Sequence, residues 1–472
     1  MPPPLLLRRE RHTVAGIQSR GDAAVVRRGS ERSFSALFSA NQGFRRSWTA
    51  SALSMLGTRT LGVTYPLLAF AVTKSPAWTG WVVFASTVPG LLCYLPAGTL
   101  IDRLGPGRVM ACSEAARGLL MGALTAALIC DVPEIRGLLL AIAFVEGGLA
   151  VLSSVAETAL IPAATRRDDI PTALAAHETT AHAVVLAGRP VGGILFGLGA
   201  YMSFFANAVV FMCSAALLWR LNPGQPARTP HREPVLHQIR EGIQEVWRNP
   251  FLLSATILTA VINLIVQSLI VVFISYQTSS GLGAAAVGGI LAASGVGGAA
   301  GAFISPKRKK ISRKIDGWAR RWNWTDRLAE LVGLTHRGRS TLLVHAWVCS
   351  GAIAVIFMTG FAPSAFALAL LMIGVAGGLS NVTIRTLLSR VPADKVARVV
   401  SVSRLGSYST VALGPVLASL LYESAGPRAT LGTVTVSMVV VALVMTLVPT
   451  FRKSLSPRWP SGRLWKARLA SR

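Results

Sequence analysis

Long apolar runs separated by short polar breaks organise this chain from end to end. Twelve such runs cover residues 48–72, 78–100, 109–130, 137–161, 175–199, 201–220, 251–275, 280–304, 341–362, 364–388, 399–422 and 428–450. About 20 residues at 1.5 Å rise cross the hydrocarbon of a bilayer, where only a helix satisfies its own backbone hydrogen bonds. The pattern predicts an all-α integral membrane protein with twelve transmembrane helices. Gly and Pro interrupt several runs, as membrane helices tolerate. Composition supports the same class: charged residues make up 14% of the 472, against roughly 25% in a soluble domain. Only 20 residues are acidic, too few to cover a large water-facing surface.

The formal net charge of +27 changes the picture once the cations are placed along the chain. With both tails in the cytoplasm, 39 of the 47 Lys and Arg lie on that side, and Lys74, Arg136 and Arg428 lie outside. Five more fall within spans: Arg59, Arg117, Arg189, Arg385 and Arg404. This is the positive-inside asymmetry, and it predicts a multi-pass protein of the inner or plasma membrane with both termini cytoplasmic. "MPPPLLLRRERH" carries an apolar stretch too short for a signal peptide, so the first span is expected to act as an uncleaved insertion signal. Residues 1–47 and 451–472 read as basic tails, the first expected to be disordered. The five cysteines all sit in apolar runs without a Cys-x-x-Cys pair, as core thiols do.

The first half of the chain recurs in the second. Gly98-Thr-Leu-Ile-Asp102 matches Gly301-Ala-Phe-Ile-Ser305 at an offset of 203, and Pro162 matches Pro392 at 230. "AGRPVGG" in span 5 corresponds to "ALGPVLA" in span 11. The chain thus divides into six-helix bundles at 48–220 and 251–450, joined by a cytoplasmic linker at 221–250 with an amphipathic helix. The growth of the offset by 27 places an insertion between spans 8 and 9, at about 306–338. Within it Ile311, Ile315, Trp318 and Trp322 recur at helical spacing among Lys and Arg. Such a basic amphipathic helix, tethered at both ends, is expected to lie on anionic lipid rather than to bind nucleic acid.

Two pseudo-repeated bundles with short loops are the organisation of a secondary transporter. "PAGTLIDRLGPGR" resembles the Gly-x-x-x-Asp-Arg-x-Gly signature between spans 2 and 3 of the major facilitator superfamily. "LGTRTLGVTYPLLAFAVTKSP", "ETALIPAATRRDDIPTALAAHETT", "FFANAVVFMCSAALL" and "VPADKVARVVSV" resemble its macrolide, multidrug and siderophore (enterobactin-type) exporters. The resemblance covers residues 45–450 apart from the 305–340 loop. It implies a cytoplasmic gate in which Gly98 lets helices approach, Asp102 bonds a helix N-terminus or Arg404, Gly105 permits the turn, and Arg103 and Arg108 face headgroups. Pro106-Gly107 departs from the family, which often has another base there. "GRPVGG" resembles the Gly-Pro motif of family antiporters, with Arg189 where Pro is usual.

Buried charge supplies the candidate chemistry, since an unpaired ion in hydrocarbon costs at least about 2.5–3.5 kcal/mol. The resemblance implies that spans 1, 4, 7 and 10 line a cavity, which makes Arg59 and Glu146 the expected central pair. Glu146 would either exchange a proton or form a static salt bridge. Arg189 belongs to a substrate or ion path or to a structural pair. Glu114 and Arg117, one turn apart, are expected to pair locally. Glu157, Glu178 and Arg385 are assigned to the inner gate, and His182 is a conceivable proton carrier. Asn263, Gln267 and Asn381 would hydrogen-bond a ligand or hold helices together.

The dipeptide Gly-Lys is absent, so the chain has no ATP-binding phosphate cradle. Neither a His/Cys cluster nor a nucleophile constellation suggests a metal site or an enzyme. The expectation is a monomeric, proton-coupled exporter of an amphipathic small molecule such as a drug, antibiotic or siderophore. It would use no cofactor beyond the proton gradient. An importer or passive facilitator of the same fold, and a transporter-fold receptor or scaffold, are the alternatives.

Overall fold

The computed structural model describes residues 34–219, 221, 235–248, 250–305, 341–388 and 393–447. The insertion at 306–338 and the tail from 451 lie outside the described residues. The first half comprises α1 (Phe34–Ala40), α2 (Gln42–Thr73), α3 (Pro76–Thr87), α4 (Pro89–Leu104), α5 (Pro106–Ile129), α6 (Ile135–Ala163), α7 (Ile170–Leu198) and α8 (Ala200–Trp219). The linker carries α9 (Val235–Arg248). The second half comprises α10 (Pro250–Ser279), α11 (Ala284–Ile304), α12 (Thr341–Thr359), α13 (Pro363–Leu388) and α14 (Ala393–Leu447).

Ten of these helices are long and apolar enough to cross a membrane, and the bent pair α3–α4 forms another span. The helix α14 holds two of the expected spans, divided at Gly426 (φ 82°), a left-handed conformation that a side chain would strain. With α3–α4 taken as one span and α14 as two, the described residues give the twelve spans expected. Short caps set several boundaries. Ser75 Oγ accepts the Trp78 amide at the start of α3, with Pro76 in the first turn, where a missing N–H costs nothing.

The helical chain begins before residue 48. In α1, Leu37 is buried with Phe44, Ile161 and Ala173, and Phe34 and Phe38 lie against Trp48. Asn41 ties this corner to α6: its Oδ1 accepts the Phe44 amide and its Nδ2 donates to the Ala164 carbonyl.

Small residues set the tightest packing in the second half. A Cβ added to Gly297 or Gly301 of α11 would strike the backbone of Leu371 or Val375 of α13. In lipid, where no hydrophobic effect pulls helices together, such close backbone contact supplies the dispersion that does.

In the first half, apolar packing divides into two layers. One, around Leu61, Tyr65, Met121, Ile142 and Phe204, lies toward the side opposite the tails. The other, around Ala50, Ile101, Met110, Ala156 and Leu160, lies toward the tail side. Between them the same helices carry Ser54, Glu114, Arg117, Glu146 and Ser153, all buried.

The two halves meet through α7 against α11 and α3 against α14. Gly193 of α7 and Gly288 of α11 face one another so closely that a Cβ on either would clash with the opposing helix backbone. At the far side, Glu423 of α14 accepts hydrogen bonds from Ser75 Oγ (2.8 Å) and the Ala77 amide (2.9 Å). On the tail side the picture reverses. Leu174 and His182 of α7 and Gly98, Asp102 and Arg103 of α4 are exposed, and Glu178 of α7 is half-buried.

Candidate functional site

The polar layer of the first half is built around Arg117. On α5, Glu114 and Arg117 stand three residues apart and so share a face. Ser54 and Thr58 do the same on α2, and Glu146 and Ser153 on α6. Packing of the three helices brings these faces together. Arg117 is 0% exposed, and each of its donors is used. Nε and Nη2 donate to Glu146 Oε1 at 3.0 and 2.7 Å, and Nη1 donates to Glu114 Oε1 at 2.9 Å. Thr58 Oγ1 and Ser54 Oγ accept at 2.7 and 3.2 Å. The guanidinium carbon lies 3.9 Å from the centre of the Phe211 ring, a cation–π contact that shields it from lipid.

Glu114 is equally enclosed. Its Oε1 accepts from Ser54 Oγ and Ser153 Oγ as well as from Arg117, while its Oε2 has no hydrogen-bond partner. The local pairing of Glu114 with Arg117 is present at 2.9 Å. The central pairing is not the one expected. Glu146 meets Arg117 at 2.7 Å, and Arg59 takes no place in this cluster. The reason is angular. Ser54 and Thr58 point into the cluster, and successive helix residues differ by about 100°, so Arg59 turns away from it. Its Cβ lies instead against Gly188 of α7, and the residue is exposed.

Arg189 leaves the first half altogether. Its Nη1 donates to Ser294 Oγ at 2.6 Å and to the Leu291 carbonyl at 3.1 Å, both on α11. It thus binds the two halves together from the middle of the membrane outward, without a carboxylate. Asn263 and Gln267 are half-buried on α10, one turn apart, and Asn381 is exposed near the tail-side end of α13. None of the three makes a side-chain hydrogen bond among the described residues.

Asp102 is exposed and forms no ion pair among the described residues. Gly98 does not serve close packing, since a Cβ there would meet nothing within 4 Å. Gly105 does make the turn expected of it, with φ 84°. Arg103 and Arg108 are exposed beside it. Arg404 lies in α14, but its side chain, like that of Arg385, is outside the described residues.

Two further carboxylate contacts lie along α6 and α7. Glu157 is buried 3.8 Å from His177, whereas the side chains of Glu178 and His182, 3.6 Å apart, are both exposed. The role of Arg117 as the hub was legible only in part. Its pairing with Glu114 follows from spacing, but the convergence of spans 1, 3 and 4 on it is a property of packing.

Fold and site together define a membrane transport protein: two helical bundles in contact through α7 with α11 and α3 with α14, with charge buried inside the first of them. Residues 47–324 match the model of the Major Facilitator Superfamily, and the chain belongs to that family. It is 27% identical over 407 residues to the multidrug efflux pump Tap of Mycolicibacterium fortuitum, covering 83% of this chain and 92% of that one. An uncharacterized MFS-type transporter, y4rN of Sinorhizobium fredii (strain NBRC 101917 / NGR234), is 27% identical over 267 residues, 54% of this chain and 64% of its own length. Among solved structures, a mutant of the nucleoside transporter NupG superposes with a TM-score of 0.65 at 11% identity, covering 88% of this chain and all of its own. A bacterial homologue of the lysosomal transporter Spinster, inward-facing and unoccupied, reaches 0.58 at 14% identity, with 88% and 96% covered. At these identities the structural likeness speaks for the fold alone. Transporters of this family are not enzymes, and neither is this chain.

Proposed function

We propose that this transporter exports amphipathic small molecules, drugs or siderophores among them, in exchange for protons by alternating access. The observation that carries the reading is the asymmetry between the halves. They are bonded through Arg189 and Glu423 on the far side, while Asp102 and the inner part of α7 are exposed on the tail side. A single central path open to one side at a time is what coupled transport requires. The positive-inside count supports assigning the tail side to the cytoplasm, with both termini there. The conformation is then inward-open, the state that collects a substrate for export. The likeness to an efflux pump over nearly its whole length supports export rather than import. Half-buried Asn263 and Gln267 supply ligand contacts in the second half, while the buried carboxylates of the first half supply sites for protons. Anionic lipid is the partner proposed for the basic insertion at 306–338.

The test is transport by the purified protein in liposomes, with ethidium as the amphipathic probe and a pH gradient imposed in either sense. Flux of probe against an inward proton gradient, together with hypersensitivity of a deletion strain to a drug and siderophore panel, is expected. Flux that ignores the gradient would make the protein a facilitator, and flux with the proton gradient would make it an importer.

A further inference from the structure

Among the described residues of α5 and α6, buried carboxylates outnumber buried cations. Three buried carboxylates, Glu114, Glu146 and Glu157, lie along α5 and α6, and the buried cation among them is Arg117. Arg117 satisfies Glu146 and one oxygen of Glu114, which commits all of its donors. Glu157 stands apart from it. The residue is 6% exposed, and its Oε1 has no hydrogen-bond partner. A carboxylate in that position is an uncompensated charge inside a membrane protein, whereas a carboxylic acid is not.

The surroundings of Glu157 are those of a group that changes protonation. Its neighbour is an imidazole, His177 of α7, at 3.8 Å. Unlike a guanidinium, imidazole gains and loses a proton near neutral pH. Ser51 of α2 and Glu114 and Arg117 of α5 are the other groups whose fields reach Glu157, and Glu178 acts in turn on His177. No charged group of α3 or α4 is among them. Along α6, Glu146, Ser153 and Glu157 recur at spacings of seven and four, which stacks them on one face. Ser153 bonds Glu114, so a polar stripe runs from the Arg117 cluster about 16 Å toward the tail side, at 1.5 Å per residue. It ends at His177, whose side chain is 18% exposed.

We propose that Glu157 is the proton-binding site of this transporter and that His177 is its outlet to the tail side. The proton leaves the Glu157 carboxyl O–H for an imidazole nitrogen of His177, giving a carboxylate and an imidazolium. The imidazolium then releases the proton to water on the tail side. One proton moves from the site to the aqueous phase and no electrons are exchanged. Glu146, which sequence position alone favours for this task, is instead the fixed counter-ion of Arg117. The proposal rests on the exchange reading above only for the use to which the proton is put.

Infrared difference spectroscopy of the full-length protein in liposomes tests the site without a substrate. The wild type is expected to show a protonated-carboxyl band that disappears as pH is raised, absent from Glu157→Gln and displaced in Glu157→Asp. A band unchanged in Glu157→Gln, or no titrating band in the wild type, overturns the proposal. Glu157→Asp preserves the acid if the Gln variant fails to fold, and loss of a titrating band there counts equally against it. In His177→Gln the band is expected to remain while deprotonation after a pH jump slows on the order of tenfold or more. An unchanged rate removes His177 as the outlet. The ethidium assay separates the two readings. A wild type with the band but no gradient-driven flux refutes proton-coupled export and leaves the site standing, whereas coupled flux that survives in Glu157→Gln refutes the site alone.

Discussion

Replacing Arg117 with Met removes a cation of similar length and leaves Glu114 and Glu146 without it. Five donated contacts disappear, two of them to the same Glu146 oxygen. Both carboxylates are buried, at 0% and 4% exposure, so water cannot replace the guanidinium. Removing one partner of a buried ion pair costs about 3–5 kcal/mol, most of it the penalty of the charge left behind. Spread over a bundle of this size, that corresponds to a fall of roughly 10 °C or more in melting temperature. The assay is thermal unfolding of the detergent-solubilised protein, followed by size-exclusion recovery after heating. The triple variant Arg117→Met with Glu114→Gln and Glu146→Gln removes the orphaned charges as well, and should recover more than half of the loss. Arg117→Lys should fall between, because an ammonium has three donors and cannot reproduce the fork that reaches both carboxylates and both hydroxyls. A single Met variant that melts like the wild type would refute the claim that this cluster holds α2, α5 and α6 together. So would a triple variant no better than the single one.

Three further outcomes follow from the contacts between halves and from the insertion. Glu423→Gln keeps one acceptor but loses the charge, weakening the bonds from Ser75 and Ala77; at about 1 kcal/mol it should raise the population open on the far side roughly fivefold, read by spin-label distances across α3 and α14. Arg189→Ala removes the bonds to Ser294 and the Leu291 carbonyl and should open the same side further, with accessibility of a cysteine placed on the far-side part of α11 as the readout; protection equal to the wild type would deny Arg189 that role. Deleting residues 306–338 should leave ethidium transport measurable while reducing retention on anionic vesicles, whereas loss of transport with intact expression would point to a docking role for the insertion.

The far-side closure connects fold to function. Gly193 and Gly288 let α7 and α11 touch, and in the proposed alternating-access cycle this is the contact that would break on opening to the far side. Glycine pairs suit this because two flat backbones separate without disentangling side chains. Asp102 is exposed in this conformation.

The spans, the two-bundle repeat and the family signature were all legible in the amino-acid order, for one reason. Each is a local property: twenty apolar residues in succession, a turn at Gly105, or a motif repeated at a nearly fixed offset. The pairing of Glu114 with Arg117 was legible on the same ground, being one helical turn long. What the order could not decide was which faces of distant helices meet. Arg59 and Thr58 are adjacent in the chain, yet about 100° of helix rotation sends Thr58 to Arg117 and Arg59 to Gly188. Arg189 reads as a buried charge in need of a carboxylate and finds a hydroxyl and a carbonyl on the other bundle. Glu157 reads as a gate residue near a helix end and proves to be enclosed beside His177. Length and hydropathy fix how many times the chain crosses the membrane, but the rotation and neighbours of each helix come from packing. Those alone determined which of the buried carboxylates meets a guanidinium and which meets an imidazole instead.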